Sequence, residues 1–160
     1  MVRLSPEVPA DWWEVEALLD LCFAPGREAL SSYRLRDGVD PVADLCLVAR
    51  DDLGVLAGAV RFWPVRVGDD TALLLGPIAV HPTHQGEGLG AVLIGDSLAR
   101  ASRNWDRVIL IGDAPYYGRF GFQVLAGVTM PPPTNPARVL GCALKNGSWD
   151  GVVGQVKRWG

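Results

Sequence analysis

Three glycines at alternate positions, Gly86, Gly88 and Gly90, stand where an apolar strand gives way to an amphipathic helix. The first N–H groups of a helix have no partner inside it, and glycines beside them let a bulky anion come close. The chemistry on offer is capture of a phosphate or pyrophosphate. Gln85, Gly86, Glu87, Gly88, Leu89, Gly90 and Ala91 are therefore the expected cradle of an anionic cofactor, held by oriented amides. A second group lies further on, in Ala114-Pro115-Tyr116-Tyr117-Gly118-Arg119-Phe120-Gly121-Phe122. A phenol of ordinary pKa, about 10, is protonated at neutral pH and can hand its proton to a leaving anion.

Regular elements must position both groups. Arg3-Leu4-Ser5 reads as an opening strand, and Pro9-Ala10-Asp11 starts a helix with Trp12, Val15, Leu18, Leu19 and Cys22 on its apolar side, ending near Ala24-Pro25-Gly26. A second helical segment runs to Gly38. Asp44 to Arg50 and Val55 to Val67 read as strands joined by a hairpin turn at Asp51-Asp52-Leu53-Gly54. A turn at Gly68-Asp69-Asp70 leads into a strand from Thr71 to Val80, where Gly76-Pro77 predicts a bulge because proline donates nothing to a ladder. Leu89, Val92, Leu93, Leu98 and Ala101 then share one helical face to about Asn104, and Arg107 to Ile111 is an apolar run typical of a strand buried on both faces. Strand, loop, helix and strand in this order make two parallel neighbours in a mixed sheet. Phe122 to Thr129, Arg138 to Lys145 and Gly151 to Lys157 read as strands of the last quarter.

The chain of 160 residues, 49% hydrophobic, suits one domain spanning 1–160. Its net charge of -3 offers no basic surplus for a phosphate backbone, so nucleic acid is not an expected partner. MVRLSPEVPADWW is broken by two prolines and carries acids, and no apolar run reaches membrane-spanning length, so no membrane partner and a cytoplasmic location are expected. Cys22, Cys46 and Cys142 are odd in number, far apart and without zinc spacing, which suits buried free thiols, Cys46 within a strand.

The glycine loop also fits G-x-G-x-x-A, the dinucleotide fingerprint, with Asp113 about 20 residues on. Against it, His81-Pro82-Thr83-His84-Gln85 intervene between strand and glycines, and the elements before them read as an antiparallel meander. A triphosphate P-loop fails, since no Gly-Lys-Ser/Thr follows. The spacing Gln85-x-x-Gly88-x-Gly90 after a strand ending Ile-Ala-Val resembles instead the acetyl-CoA loop, Q/R-x-x-G-x-G/A, of the GNAT superfamily of N-acetyltransferases. Phe23 to Glu28, RFWPVRVG and GDAPYYGRFGF look like a YhbS-like bacterial branch of it.

That resemblance implies an α/β (α+β mixed) fold, with a central mixed, mostly antiparallel sheet, a parallel splayed pair and flanking helices. It implies an N-acyltransferase that moves acetyl from acetyl-CoA to an amine acceptor by direct attack, with Ile78, Ala79 and Val80 lining the pantetheine arm. Tyr117 matches the family's catalytic tyrosine, five residues before the Phe of a terminal Gly-Phe, and Tyr116 is assigned to packing. Asp113 approaches the position where relatives carry a cofactor-side Asn. Homodimers are frequent among relatives. The strand that often carries a glutamate base is wholly apolar here, Val108 to Ile111, so the base is unassigned; His81, His84, Glu28 and Asp37 are its candidates. Arg61 and Arg66 are candidates for gripping an acidic acceptor, and the six tryptophans read as packing residues. A binding protein that senses acyl-CoA without turnover is the competing class.

Overall fold

The computed structural model describes residues 2–23 and 31–159. The fold is built on a long hairpin: β3 (Leu56–Val67) and β4 (Asp70–Val80) pair antiparallel almost end to end, joined by Gly68 at φ 59°. Both strands are largely buried, because each is covered on both faces. β1 (Arg3–Pro6) and β2 (Leu47–Arg50) extend the sheet from β3, and β5 (Arg107–Ile111) adds to β4 in parallel. Beyond β5 come β8 (Val139–Ala143) and the two-residue β6 (Gln123–Val124). β9 (Gly154–Arg158) pairs the far end of β3 and runs parallel to β7 (Val128–Thr129).

Two layers of helix close the sheet. α3 (Leu89–Ala101) lays Leu89 and Leu93 on Val60, Phe62, Leu73, Leu75 and Leu110. α1 (Trp12–Phe23) lays Val15, Leu18 and Leu19 on Val48, Leu56, Ala59 and Ala79 of the other face. Trp63, Val65, Val67, Leu74 and Ile109 continue a second apolar cluster under Val128, Met130, Val152 and Val156. Two short helices complete the described elements: α2 (Ser31–Arg34) and α4 (Ala114–Tyr117). No described helix is long and apolar enough to cross a membrane.

Several expectations shift. The predicted strand from Asp44 begins at Leu47, since 43–45 wind into a 3-10 turn and Cys46 precedes the strand. Phe122 to Thr129 divides into β6 and β7, separated by Gly127 at φ 83°. On α3, Val92 is 53% exposed, and Ile94 and Ser97 are buried instead. Trp13 is 76% exposed and lies edge-on to the half-exposed Trp12, so these two are not core residues. The predicted helix end at Ala24-Pro25-Gly26, the first part of the second helical segment and Glu28 lie outside the described residues.

Candidate active site

The site starts from the Gly76-Pro77 bulge. Between the pairs Phe62↔Leu75 and Val60↔Ile78, β4 has two residues, Gly76 and Pro77, where β3 has one, Arg61. One extra residue inverts the in-and-out alternation of a strand. Ile78 and Val80 therefore share the α3 face with Leu73 and Leu75, while Ala79 turns to α1. Gly76 sits at φ 127°, a conformation L side chains rarely adopt. The parallel ladder to β5 stops as well, with only Leu73↔Val108 and Leu74↔Ile109 in register.

Past that point the two strands part. A cavity of about 320 Å³ fills the gap, lined by Leu75, Gly76, Pro77 and Ile78 on one side and Leu110, Gly112 and Asp113 on the other, with Tyr33, Tyr117 and Arg138 around it. The strand amides facing it follow from one bond. His81 N–H donates to Ala57 O at 2.8 Å, and N–H groups alternate sides along a strand, so Ala79 N–H faces β3 while those of Ile78 and Val80 face the opening.

Tyr117 stands at the end of α4, against Phe122 and within the cluster under α3. Burial, and secondarily Tyr116, push its pKa above the ordinary phenol value. It therefore stays protonated at neutral pH. Asp113 caps α4, its Oδ2 accepting from Tyr116 N–H at 3.0 Å, and so fixes the turn that presents the phenol. Asp113 is also the one carboxylate among the described residues lining this cavity.

A second cavity, about 300 Å³, lies over the glycine loop and is lined by Val80, Gln85, Gly86, Gly88, Leu89, Gly90 and Ala91 together with His84, Tyr116 and Arg119. Gly88 is the N-cap of α3 at φ 81°, so it answers a backbone need. Gly90 lies beneath the same cavity, where a Cβ would reach ordinary contact with the Tyr116 hydroxyl at 3.4 Å and with Val80 at 3.7 Å. Gln85 Nε2 donates to Val80 O and ties the loop to β4. Arg119 brings a cation to the rim, its guanidinium 4.4 Å from the Tyr116 ring centroid. Amides at a helix start, open glycines and one cation suit a pyrophosphate.

Residues 43–124 match the acetyltransferase (GNAT) domain family. The chain is 36% identical over 123 residues, 75% of its own length and 72% of the relative's, to the uncharacterised N-acetyltransferase YhbS of Escherichia coli. The chain belongs to the GNAT family of N-acetyltransferases. The crystal structure of E. coli YhbS in complex with CoA superposes with a TM-score of 0.85 at 30% identity, covering 99% of this chain and 89% of that one. A GNAT acetyltransferase of Brucella melitensis in complex with acetyl-CoA gives 0.75 at 27% identity, covering 99% and 96%. The mixed, mostly antiparallel sheet with its splayed parallel pair is the GNAT fold.

Seen as a GNAT site, the remaining candidates sort by position. Ile78 and the Asp113 and Tyr117 pair line the splay; Val80 and the loop residues line the cradle. The side chain of Ala79 faces away, and Glu87 turns outward to His84, 2.9 Å from Nδ1, so each can serve only through its backbone. His81 caps the Pro82–His84 turn, and neither histidine lines the splay. Asp37 is exposed and absent from both cavities. Arg61 is not available to an acceptor, because it is 4% exposed and ion-paired with Glu7 and Glu16. Arg66 lies over Trp159 at the distant end of the hairpin. Tyr116 packs its ring against Tyr117 and Phe120, as expected, but is 37% exposed and brings its hydroxyl to the glycine loop as well. Arg119 and Arg138 were not singled out by the sequence; a lone arginine after a tyrosine pair, or after a proline-rich loop, gives no spacing signal.

Proposed function

We propose that this protein transfers the acetyl group of acetyl-CoA to a primary amine by direct attack. Acetyl-CoA supplies the acyl group as an activated thioester. The observation that carries the reading is the succession of two cavities along one strand, the cradle at Val80 and the splay from Leu75 to Ile78, with a half-buried phenol at the second. In this reading the α3 N-terminal amides from Gly88 to Ala91, with Arg119, hold the pyrophosphate. The pantetheine arm runs beside Ile78 to Val80 like an added strand, bonding the outward amides. Ile78 or Val80 N–H donates to the oxygen that gains charge as the amine attacks, and Tyr117 gives its proton to the departing sulfur.

Direct attack needs no cysteine nucleophile, and the cysteines suit none. Burial pushes the Cys46 thiol up to about 11 and raises that of Cys142, while Cys22 donates to Val80 O at 3.4 Å with its pKa also raised by burial. Thiolates are what react, and these stay thiols at neutral pH.

Two outcomes test the binding half. Acetyl-CoA at about 100 times its dissociation constant should stabilise the fold by about 2.7 kcal/mol, seen as a rise in melting temperature of roughly 5 to 10 °C. NADH should give no comparable rise, and the reverse pattern would restore the dinucleotide alternative. Arg119→Ala should weaken CoA about tenfold, the loss of one charge-assisted contact to phosphate at a partly exposed site. A calorimetric titration that finds equal affinities would remove Arg119 from the cradle.

A further inference from the structure

On the face of the sheet that carries α1, opposite α3, a third cavity of about 370 Å³ opens between the start of α1, residues 41–46 and the middle of β3. One side of it is ionic. Arg61 donates Nε and Nη2 to the Glu7 carboxylate at 3.1 and 2.9 Å and Nη1 to Glu16 at 2.5 Å, so one buried guanidinium engages both acids. Val8, Pro9, Trp12, Pro41 and Ala43 make apolar walls.

Arg36 and Trp63 complete the lining. The Arg36 guanidinium lies 3.9 Å from the Tyr33 ring centroid and 4.4 Å from that of Trp63. Three buried N–H groups here have no acceptor: Arg36 Nε, Arg36 Nη1 and Trp63 Nε1. All three are donors. Trp63 is only 8% exposed, so bulk water does not compensate it, and an orphaned donor there has lost its hydration with nothing in return. No ion pair reaches Arg36 among the described residues; burial pushes its pKa below the usual arginine value, against the opposing pull of the Tyr33 hydroxyl and of Glu16. Orphaned donors beside a cation, in an apolar cavity of ligand size, call for an occupant rich in oxygen acceptors.

We propose that this cavity binds a small monocarboxylate with an aromatic body, its oxygens accepting from Arg36 and Trp63 and its ring lying against Trp12, Val8 and Pro9. A single negative charge matches Arg36, which, of the two arginines lining this cavity, is the one without an ion pair among the described residues. A dianion such as phosphate is disfavoured by Glu7 and Glu16 on the facing side. Tyr33 lines the splay between β4 and β5, whereas Arg36, stacked on its ring, lines only the third cavity. Binding here does not depend on the acetyl-transfer reading.

The test uses the full chain and three probes, benzoate, phenylacetate and indole-3-acetate, followed by calorimetry and by the indole N–H resonances, with the Trp63 signal assigned from Trp63→Phe. At least one acid should bind with a dissociation constant of about 1 mM or tighter and move the Trp63 resonance, while its methyl ester binds at least about tenfold more weakly. Arg36→Met, which keeps the apolar stem, should lose about tenfold in affinity for the acid while its response to acetyl-CoA is unchanged. Should that variant not fold, the ester comparison and the Trp63 signal decide alone. The proposal is overturned if no acid of the three binds, if acid and ester bind equally, or if the acid binds without moving the Trp63 resonance.

Discussion

Tyr117→Phe is expected to lower turnover by about 10² to 10⁴, the range for losing a general acid, while affinity for acetyl-CoA stays near wild type. The substitution removes one oxygen and keeps the ring that packs against Phe122 and Phe120. Stability should therefore hold, and the loss should fall on kcat. The pH profile sharpens the expectation. Burial raises the Tyr117 pKa above its ordinary value of about 10, so the phenol is fully protonated below that pH and the activity it supports is lost only as pH rises through the raised pKa. An alkaline limb near pH 8 would belong to another group. Equal turnover by wild type and Tyr117→Phe at saturating substrates would refute the acid role. Tyr116→Phe is a useful comparison for a reason the sequence did not offer: its hydroxyl faces Gly90, so any effect should appear in CoA binding and leave kcat intact.

Gly112→Ala is expected to cost about tenfold to a hundredfold in kcat, by displacing Tyr117. A Cβ at Gly112 would lie 2.5 Å from Tyr117 Cε2 and 2.9 Å from Leu110 Cδ1. Neither distance is tolerated between carbon atoms, and Gly112 N–H is held by Arg138 O at 2.9 Å, so the backbone is tethered and the ring must move. A displacement of the order of 1 Å at a proton donor is enough for a loss of this size. Steady-state kinetics beside a CoA titration would separate the effects: a fall in kcat with unchanged CoA affinity is expected, and wild-type kcat would show that the phenol need not sit where the glycine allows.

The elements that could be read in the sequence were those with a single physical cause. Proline in an apolar strand announced the bulge, alternate glycines announced the helix start, and the uninterrupted run Arg107 to Ile111 announced a strand buried on both faces; each holds in the fold. What the bulge does was not legible, because the phase inversion that turns Ile78 and Val80 to the α3 face depends on how β3 pairs opposite it. Cross-chain partners decide the rest. Arg61 reads as a candidate for gripping an acidic acceptor until Glu7 and Glu16, from β1's exit and from α1, fold over it. Tyr116 and Tyr117 are adjacent letters, yet the T-shaped contact at 4.9 Å sends one to the loop and one to the splay. Trp12 and Trp13 look like core residues by hydrophobicity alone, and α1 spends its buried face on Val15, Leu18 and Leu19 instead.

Amine-dependent release of CoA thiol separates acetyl transfer from binding of the acyl donor alone. Purified protein with acetyl-CoA should release thiol in proportion to an added acceptor when challenged with a panel of small amines, amino acids and peptides bearing free lysines or N-termini, and mass spectrometry should find the acetylated acceptor. Tyr117→Phe, run in parallel, should bind acetyl-CoA and release little. Saturable acetyl-CoA binding with no amine-dependent thiol from any member of the panel would contradict acetyl transfer and leave a protein of this family that binds the acyl donor without turning it over.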